Sequence, residues 1–372
     1  MGPIANRCLR EYAMPSIDSL LTMLQLDPAQ NLALIPAARL QGAHVPPFPS
    51  DMPAVILNLD TPQLAVVVQA ALLAVYPANW VVRLVTRSQV TEVSLSDLPK
   101  AALEDGAALY IPALGEGTSL EAFHEVVAHL RAPDGCPWDR KQTHASLRPY
   151  LLEETYEALA ALDAGQVDKM AEEFGDLLLQ IVLHAQVASE AGTFRLADIL
   201  QGITAKIIRR HPHVFGDVQV DGVGGVLVNW ERLKAEERAA NGEAEKGMLD
   251  SVPVALPALS LAYQYSDRAA RVGFDWDNIE PVRQKVLEEL GEIADAPDAE
   301  HRAMEVGDLL FAVVNLARWY HVDAETVLRE TSQRFRRRFQ YIEQQARKSG
   351  RALNTMTLAE MDLWWEEAKT LE

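Results

Sequence analysis

The sequence predicts a multidomain protein in which a small α/β domain precedes two all-α modules. Up to about residue 115, short apolar runs alternate with turn-forming clusters, which is typical of mixed strands and helices. From Leu120 onward, apolar residues recur at spacings of three and four with almost no β-branched alternation, which indicates helices. Acidic, cationic and tryptophan markers then occur twice in the same order, so the helical part contains a duplication.

The first domain, residues 1–115, is expected to contain a helix at 61–76 among several strands. The predicted strands are apolar runs bounded by turn-forming residues, at 53–59, 80–86 and 108–114. The proline-rich segment 46–53 is expected to be a loop between these elements.

The two all-α modules are expected at 119–240 and 254–372. The segment between them, 241–253, is polar, contains glycine and ends in proline, which is typical of a linker. Equivalent residues of the two modules are separated by a nearly constant number of positions. For example, Glu289 follows Glu154 by 135 positions. This offset supports duplication of one ancestral module.

The composition excludes several classes of protein. With 34 Lys and Arg against 53 Asp and Glu, the formal net charge is −19, which disfavours nucleic acid and anionic membranes as partners. The longest apolar stretch, 65–76, is about a dozen residues and contains Gln69, so it is too short to span a membrane. Cys8 and Cys136 are far apart and predict neither a disulfide framework nor a zinc site. Because no apolar leader is visible at the amino terminus, a cytoplasmic location is expected.

Paired carboxylates are the main chemical signal in the helical part. Glu154 and Glu157 are three residues apart on one predicted helix, and Glu173 and Asp176 are three apart on the next. A turn around Gly165 would pack these helices antiparallel and bring four carboxylates together, where repulsion raises pKa values. A hard divalent cation, Mg²⁺ or Mn²⁺, would relieve that repulsion. The second module repeats the set as Glu289, Glu292, Glu305 and Asp308.

A solvated acidic face and a di-iron bundle are the two alternatives to a divalent cation. A solvated face would account for a single acidic pair, but here apolar residues cover much of both helices and the pattern occurs twice. A di-iron bundle also gathers glutamates but uses Glu-x-x-His motifs. His184 lies eight residues past Asp176, and the second module has Leu316 in the equivalent place, so redox iron is disfavoured.

The acidic pairs are spaced differently in the two modules. The interval from Glu157 to Glu173 is 16 residues, whereas the interval from Glu292 to Glu305 is 13. A shorter connecting turn is therefore expected in the second module.

Cationic residues four apart follow the carboxylates in each module. Lys206 and Arg210 share a helix face, and Pro212 is expected to end that helix. The equivalent residues in the second module are Arg334 and Arg338. Interaction with the helix macrodipole would account for one such pair, but the repetition favours phosphate binding.

A tryptophan precedes a lysine by four residues near the end of each module. The pairs are Trp230 with Lys234 and Trp365 with Lys369. This spacing is typical either of core packing with an extended lysine or of a base-stacking platform beside a phosphate contact.

On these motifs, the sequence resembles the MazG family of nucleoside triphosphate pyrophosphohydrolases, within the all-α NTP pyrophosphatase superfamily. The similarity spans about 119–372 and includes GCPWD (135–139), EETYE, EEFGD, KIIRRHPHVFGD (206–217), WERLKAEER (230–238), AARVGFDW (269–276), EELGE, EVGDLLF, RFRRRF (334–339) and WWEEAK (364–369). It implies four-helix modules, a dimer or higher oligomer, and Mg²⁺-dependent cleavage of an NTP to an NMP and pyrophosphate. The eight carboxylates named above would bind the metal. Arg334 stands where the family often has lysine, so a planar guanidinium replaces a compact ammonium group at this position.

Residues 1–115 resemble the carboxy-terminal half of tetrapyrrole methylases, which some bacterial MazG proteins carry at the amino terminus. The similar segments are SIDSLLTMLQLDP (16–28), VYPANWVVRLVT (75–86), VSLSDLP (93–99) and LYIPAL (109–114). Because the glycine-rich loop of the other half is missing, a truncated remnant with a structural or regulatory role is expected, rather than a methyltransferase.

The expected function is hydrolysis of standard or damaged NTPs, as in house-cleaning of the nucleotide pool. Glu153 and Glu288 are adjacent to the predicted metal ligands but turned about 100° around the helix. They are candidates for positioning the attacking water or completing a second metal site. The alternative is a nucleotide-binding regulatory module without turnover.

Overall fold

A computed structural model of the chain describes residues 16–87, 89–240 and 247–371. The chain divides into two compact units, Met1–Gly202 and Ile203–Glu372. Residues 1–15 with Cys8, residue 88, residues 241–246 of the predicted linker and the last residue lie outside the described residues. The proposed domain boundaries therefore stay a prediction.

The first unit begins with a small α/β layer. Its helices are α1 (Ile17–Leu24) and α2 (Pro62–Leu73), and its strands are β1 (Ala33–Pro36), β2 (Ala54–Leu57), β3 (Val81–Val85), β4 (Val90–Ser94) and β5 (Ala108–Ile111). The sheet order is β1-β2-β5-β3-β4. β1 pairs with β2 in parallel, and the other neighbours are antiparallel.

The sheet is covered on both faces, which explains why its central strands are almost wholly apolar. Helix α2 and two short 3₁₀ helices cover one face, while Leu20 and Leu24 of α1 pack on the other. The predicted strands and the helix at 61–76 are confirmed. The sequence did not predict α1 or the two edge strands, β1 and β4.

The rest of the first unit is helical. Helices α3 (Leu120–Arg131), α4 (His144–Ala164) and α5 (Val167–Glu190) are followed by the start of α6 (Leu196–Arg210). Thr143 caps α4 through a capping box, and Gly165 ends it in the left-handed conformation at φ 63°. The core of these helices is formed by Val127, Leu147, Val182, Leu183, Ala185 and Leu196.

The second unit contains the end of α6 and seven more helices in the described residues. They are α7 (Pro212–Phe215), α8 (Gly222–Ala240), α9 (Ala258–Ala270), α10 (Ile279–Asp295), α11 (Ala299–Trp319), α12 (Ala324–Lys348) and α13 (Leu358–Thr370). Helix α11 packs against α10 and α9, and α12 packs against α13. The prediction of helices after Leu120 is confirmed, and α6 ends just before Pro212 as expected. In the part of the chain that is described, no helix combines the length and apolarity needed to cross a bilayer.

The two acidic hairpins, α4–α5 and α10–α11, differ in the length of their first helix, whereas the sequence predicted a difference in the connecting turn. Helix α4 continues from Glu157 to Ala164, whereas α10 continues only from Glu292 to Asp295. The connecting turns are residues 165–166 and 296–298. The expectation of a shorter second turn is therefore wrong, because the missing residues come from the helix and the turn is one residue longer.

Candidate functional site

The first hairpin brings three of its predicted ligands together. Glu154 and Glu157 lie one turn apart on α4, and Glu173 faces them from α5. Each offers a carboxylate oxygen within 4.8 Å of the others. Glu173 is only 3% exposed. A buried carboxylate next to two others is costly unless a cation accompanies it.

The second hairpin repeats this arrangement. Glu289 and Glu292 of α10 and Glu305 of α11 offer oxygens within the same 4.8 Å limit. The buried member is now Glu289, at 4% exposed, on the first helix instead of the second. The two clusters are therefore equivalent in composition but differ in which helix buries its glutamate.

The remaining acidic candidates lie beside these clusters. Asp176 and Asp308 do not belong to the groups of three, although the charge of Asp176 helps to raise the pKa of Glu154. Glu153 is exposed and also raises the pKa of Glu154. Glu288 is exposed and accepts a hydrogen bond from Lys285 Nζ at 2.8 Å. Their roles toward water or a second metal stay predictions.

Crowding of like charges is visible in the pKa values of the clusters. Desolvation, followed by the charges of Asp176 and Glu157, raises the pKa of Glu154. The charge of Glu173 is the main cause of the raised pKa of Glu157. Desolvation and then the charge of Glu289 raise the pKa of Glu292. Glu154, Glu157 and Glu292 are thus harder to ionise than isolated glutamates, as expected where carboxylates crowd together.

A lysine belongs to each cluster, and the sequence analysis missed both. Lys169 Nζ lies 2.9 Å from a carboxylate oxygen of Glu173, and Lys285 Nζ lies 2.6 Å from one of Glu289. In each case the lysine is four residues before the buried glutamate, and its hydrogen bonds to neighbouring carboxylates raise its pKa. The only signal was this Lys-x-x-x-Glu spacing, which is common on solvated helices.

These observations fit a hard divalent cation. Each cluster offers carboxylate oxygens from three glutamates, and in each the buried glutamate pairs with an ammonium group. Among the described residues, no histidine belongs to either group. His184 instead places Nδ1 at 2.7 Å from Nδ1 of His144.

The raised carboxylate pKa values predict that the free energy of unfolding of the metal-free protein depends on pH. Because folding favours the protonated forms of Glu154, Glu157 and Glu292, their stabilising effect is complete below the usual pKa of 4.5 and is lost as pH rises through the raised values. In EDTA, we expect a Glu154→Gln, Glu157→Gln, Glu292→Gln variant to gain melting temperature relative to the parent as pH rises above 4.5. Thermal melts followed by circular dichroism measure this gap. A gap independent of pH would contradict the assignment.

The cationic and tryptophan candidates, predicted separately, meet in both copies. The guanidinium of Arg210 lies 5.6 Å from the ring centre of Trp230, and that of Arg338 lies 5.4 Å from Trp365. These distances are those of cation–π pairs. The repeated pair joins α6 to α8 in one copy and α12 to α13 in the other.

The two arginine–tryptophan pairs have different surroundings. Glu237 accepts a hydrogen bond from Arg210 Nε at 3.1 Å, and both side chains are largely buried. Trp365 instead packs against Phe335, at 5.2 Å between ring centres, beside an apolar pocket of about 240 Å³ between α12 and α13. The guanidinium of the first copy is thus already paired with a carboxylate.

The other predicted phosphate contacts lie on the same helices of the second unit. Lys206 is exposed, and Lys234 is half-buried. Arg334 donates to Thr331 Oγ1 at 2.8 Å, and Lys369 pairs with Glu366. Their contact with phosphate stays a prediction.

The fold and the site define a mostly helical protein with a small α/β layer, in which two helical hairpins hold carboxylates suited to a divalent cation. The MazG nucleotide pyrophosphohydrolase domain matches this chain at residues 142–215 and again at 278–342. Each match contains one of the carboxylate clusters.

Three relatives extend the comparison beyond the domain. The nucleoside triphosphate pyrophosphohydrolase/pyrophosphatase MazG of Thermotoga maritima is 43% identical over 253 residues, which cover 68% of this chain and 96% of that protein. The nucleoside triphosphate pyrophosphohydrolase of Escherichia coli K12 is 42% identical over 66% of this chain and 95% of its own length. The uncharacterized protein YabN of Bacillus subtilis is 39% identical over 96% of this chain and 74% of its own. The chain belongs to the MazG family.

The predicted family resemblance is therefore confirmed for the helical part. The resemblance of residues 1–115 to tetrapyrrole methylases stays a prediction.

Proposed function

We propose that this protein hydrolyses nucleoside triphosphates to the monophosphate and pyrophosphate, with a role in house-cleaning of the nucleotide pool. The observation that carries the proposal is the carboxylate cluster, which occurs at the same place in both hairpins. Two relatives that match over nearly their whole length bear the name nucleoside triphosphate pyrophosphohydrolase.

The metal that fits the clusters best is Mg²⁺, with Mn²⁺ as a substitute. Its ligands in the first copy would be Glu154, Glu157 and Glu173, joined by Asp176, and in the second copy Glu289, Glu292 and Glu305, joined by Asp308. When bound, such an ion neutralises triphosphate charge and lowers the pKa of a bound water.

The chain's own side chains would bind and orient the substrate. Glu153 and Glu288 are placed to orient the attacking water from the edge of each cluster. The phosphates would be held by Lys206, Arg210, Lys234, Arg334, Arg338 and Lys369. Trp230 and Trp365 would complete the phosphate-binding part of the nucleotide site by holding their arginines through cation–π contacts.

The assembly we propose is a homodimer of four-helix modules. Several large apolar side chains of the acidic hairpins are exposed in the single chain, which favours a protein partner on these faces. They are Leu152, Phe174 and Leu178 in the first copy, and Leu287, Leu290, Leu310 and Phe311 in the second. The net charge of −19 argues against nucleic acid as a further partner.

One observation favours a non-hydrolytic role for the first copy. Arg210 is paired with Glu237, so it would have to exchange a carboxylate for a phosphate before it could bind substrate. The first copy could thus bind nucleotide and regulate the second without turnover. Double variants that disable one acidic cluster at a time separate the two roles.

Product analysis tests the proposal directly. With Mg²⁺ present, the purified protein is expected to convert NTPs and dNTPs to monophosphate and pyrophosphate, measured by ³¹P NMR and anion-exchange chromatography. EDTA should stop the reaction, because the carboxylates then lack their cation. Production of diphosphate and orthophosphate would overturn the assignment, and a panel of bases would define the preferred substrate.

A further inference from the structure

The loop between α3 and α4 contains the GCPWD motif and is held rigidly. At its base, the Arg131 side chain is only 5% exposed and makes a two-pronged contact with Glu190, at 2.9 and 2.7 Å. The same guanidinium donates to the carbonyl oxygens of Asp139 and Gln142. A buried, bidentate arginine of this kind fixes the path of the loop.

Glycine is required at the tightest point of this loop. A Cβ at Gly135 would lie 2.3 Å from the carbonyl oxygen of His129, closer than any side chain can approach. The next residue, Cys136, donates its backbone N–H to the carbonyl oxygen of Leu130 at 2.8 Å, and Arg140 donates to that of Pro133 at 2.8 Å. The chain therefore folds back onto the end of α3 in one conformation.

This rigid loop presents an exposed tryptophan. Trp138 is 55% exposed, although an indole of this size is normally covered. Its ring meets that of Tyr150 edge to face, with centres 6.1 Å apart, and Tyr150 is itself 39% exposed. An indole that is held in place but left uncovered offers one face to a flat ligand.

Tyr150, the partner of Trp138, lies on the same stripe of α4 as the carboxylates. Tyr150, Glu154 and Glu157 are spaced at i, i+4 and i+7, which places them on one helix face. Tyr150 is one turn, about 6 Å along the axis, before Glu154. A nucleotide whose phosphates lie at the carboxylates would have its base in this region.

The second copy also has an exposed tryptophan in a loop, but different contacts hold this loop in place. Trp276, in the loop before α10, is 41% exposed. The preceding residue, Asp275, is fixed by Arg318 Nη2 at 2.7 Å and Trp319 Nε1 at 3.1 Å. The duplicated element is thus an exposed tryptophan on a fixed loop ahead of the first acidic helix.

We propose that Trp138 with Tyr150, and Trp276 in the second copy, are the stacking platforms for the nucleobase. The inference rests on the proposed function. Stacking uses the face of the base, which purines and pyrimidines share, so these platforms bind the substrate without selecting one base. Base preference then comes from other contacts.

Calorimetric titration in Mg²⁺ tests the proposal with two probes, a non-hydrolysable NTP analogue and inorganic tripolyphosphate. In a Trp138→Leu, Trp276→Leu variant, we expect the dissociation constant of the analogue to rise about tenfold, since stacking has lost its partner. The constant for tripolyphosphate, which has no base, should not change. Trp138→Phe with Trp276→Phe should restore most of the affinity.

Tyr156→Ala is the control for removing an exposed aromatic side chain, because Tyr156 is 44% exposed and lies on another face of α4. An unchanged analogue affinity in the leucine variant, or equal loss for both probes, would overturn the proposal. So would dissociation of an oligomer by light scattering, because the tryptophans would then be subunit contacts. If the unmodified protein binds the analogue through the tryptophans but produces no pyrophosphate, the proposed hydrolysis is wrong, whereas the stacking of the base on the tryptophans is supported.

Discussion

A quadruple variant carrying Glu173→Ala, Asp176→Ala, Glu305→Ala and Asp308→Ala is expected to lose NTP hydrolysis, with a fall in kcat/KM of about a thousandfold or more. Each pair of substitutions removes the second-helix carboxylates of one cluster, so neither hairpin keeps enough oxygens to hold a divalent cation. Pyrophosphate release and Mn²⁺ titration measure the two consequences separately. Full activity in this variant would reject the catalytic assignment.

The two double variants separate the copies. Glu173→Ala with Asp176→Ala disables only the first cluster, and Glu305→Ala with Asp308→Ala only the second, so each is expected to retain some hydrolysis. Complete loss in one of them would show that the other copy is structural or regulatory.

Folding must be checked in these variants, since Glu173 is buried and paired with Lys169. Glu173→Gln and Glu305→Gln keep the side-chain volume and remove one unit of charge, so they are the matched controls for packing. If the glutamine forms melt like the parent but bind no Mn²⁺, the loss of activity reflects lost ligands. Loss of helical circular dichroism in the alanine forms alone would assign their defect to packing.

Local patterns predicted the parts of the fold that depend on neighbours in sequence. The central strands β2, β3 and β5 were predicted because each is an apolar run between turn formers. The edge strands were missed because β1 has only four residues and ends in Pro36, and the apolar pattern of β4 is broken by Thr91 and Glu92. Their identity depends on pairing with β2 and β3.

In the site, too, features within one helix could be predicted from the sequence, whereas contacts between helices could not. Glutamates at i and i+3 identified the clusters, because helix geometry places them together whatever surrounds them. The contact of Arg210 with Trp230 could not be predicted, since it joins two helices across a loop. The cluster lysines were hidden for another reason: Lys169 precedes the second-helix acids, whereas Lys285 precedes the first-helix acids, so comparison of the repeats does not align them.

The second large effect that we expect is tighter binding of a divalent metal when these two lysines are substituted. Lys169 and Lys285 already neutralise Glu173 and Glu289 in the absence of metal. A cation entering either cluster must displace the ammonium group from the buried carboxylate or accept repulsion from it at short range. Lys169→Met and Lys285→Met keep the aliphatic stem and remove this competitor, so each should lower the Mn²⁺ dissociation constant of its own cluster by about tenfold.

The same substitutions should lower the melting temperature in EDTA and raise the gain on adding Mn²⁺, because the buried glutamate then depends on the metal for its counter-charge. Calorimetric titration of the full-length protein and paired melts measure the two effects. Lys100→Met is the control, since Lys100 forms an exposed pair with Asp97 at 2.8 Å in the α/β layer. Unchanged or weaker Mn²⁺ binding in both cluster variants would show that the lysines support the metal site. The opposite result, tighter binding with lower metal-free stability, would show that each hairpin carries an internal cation that its metal must replace.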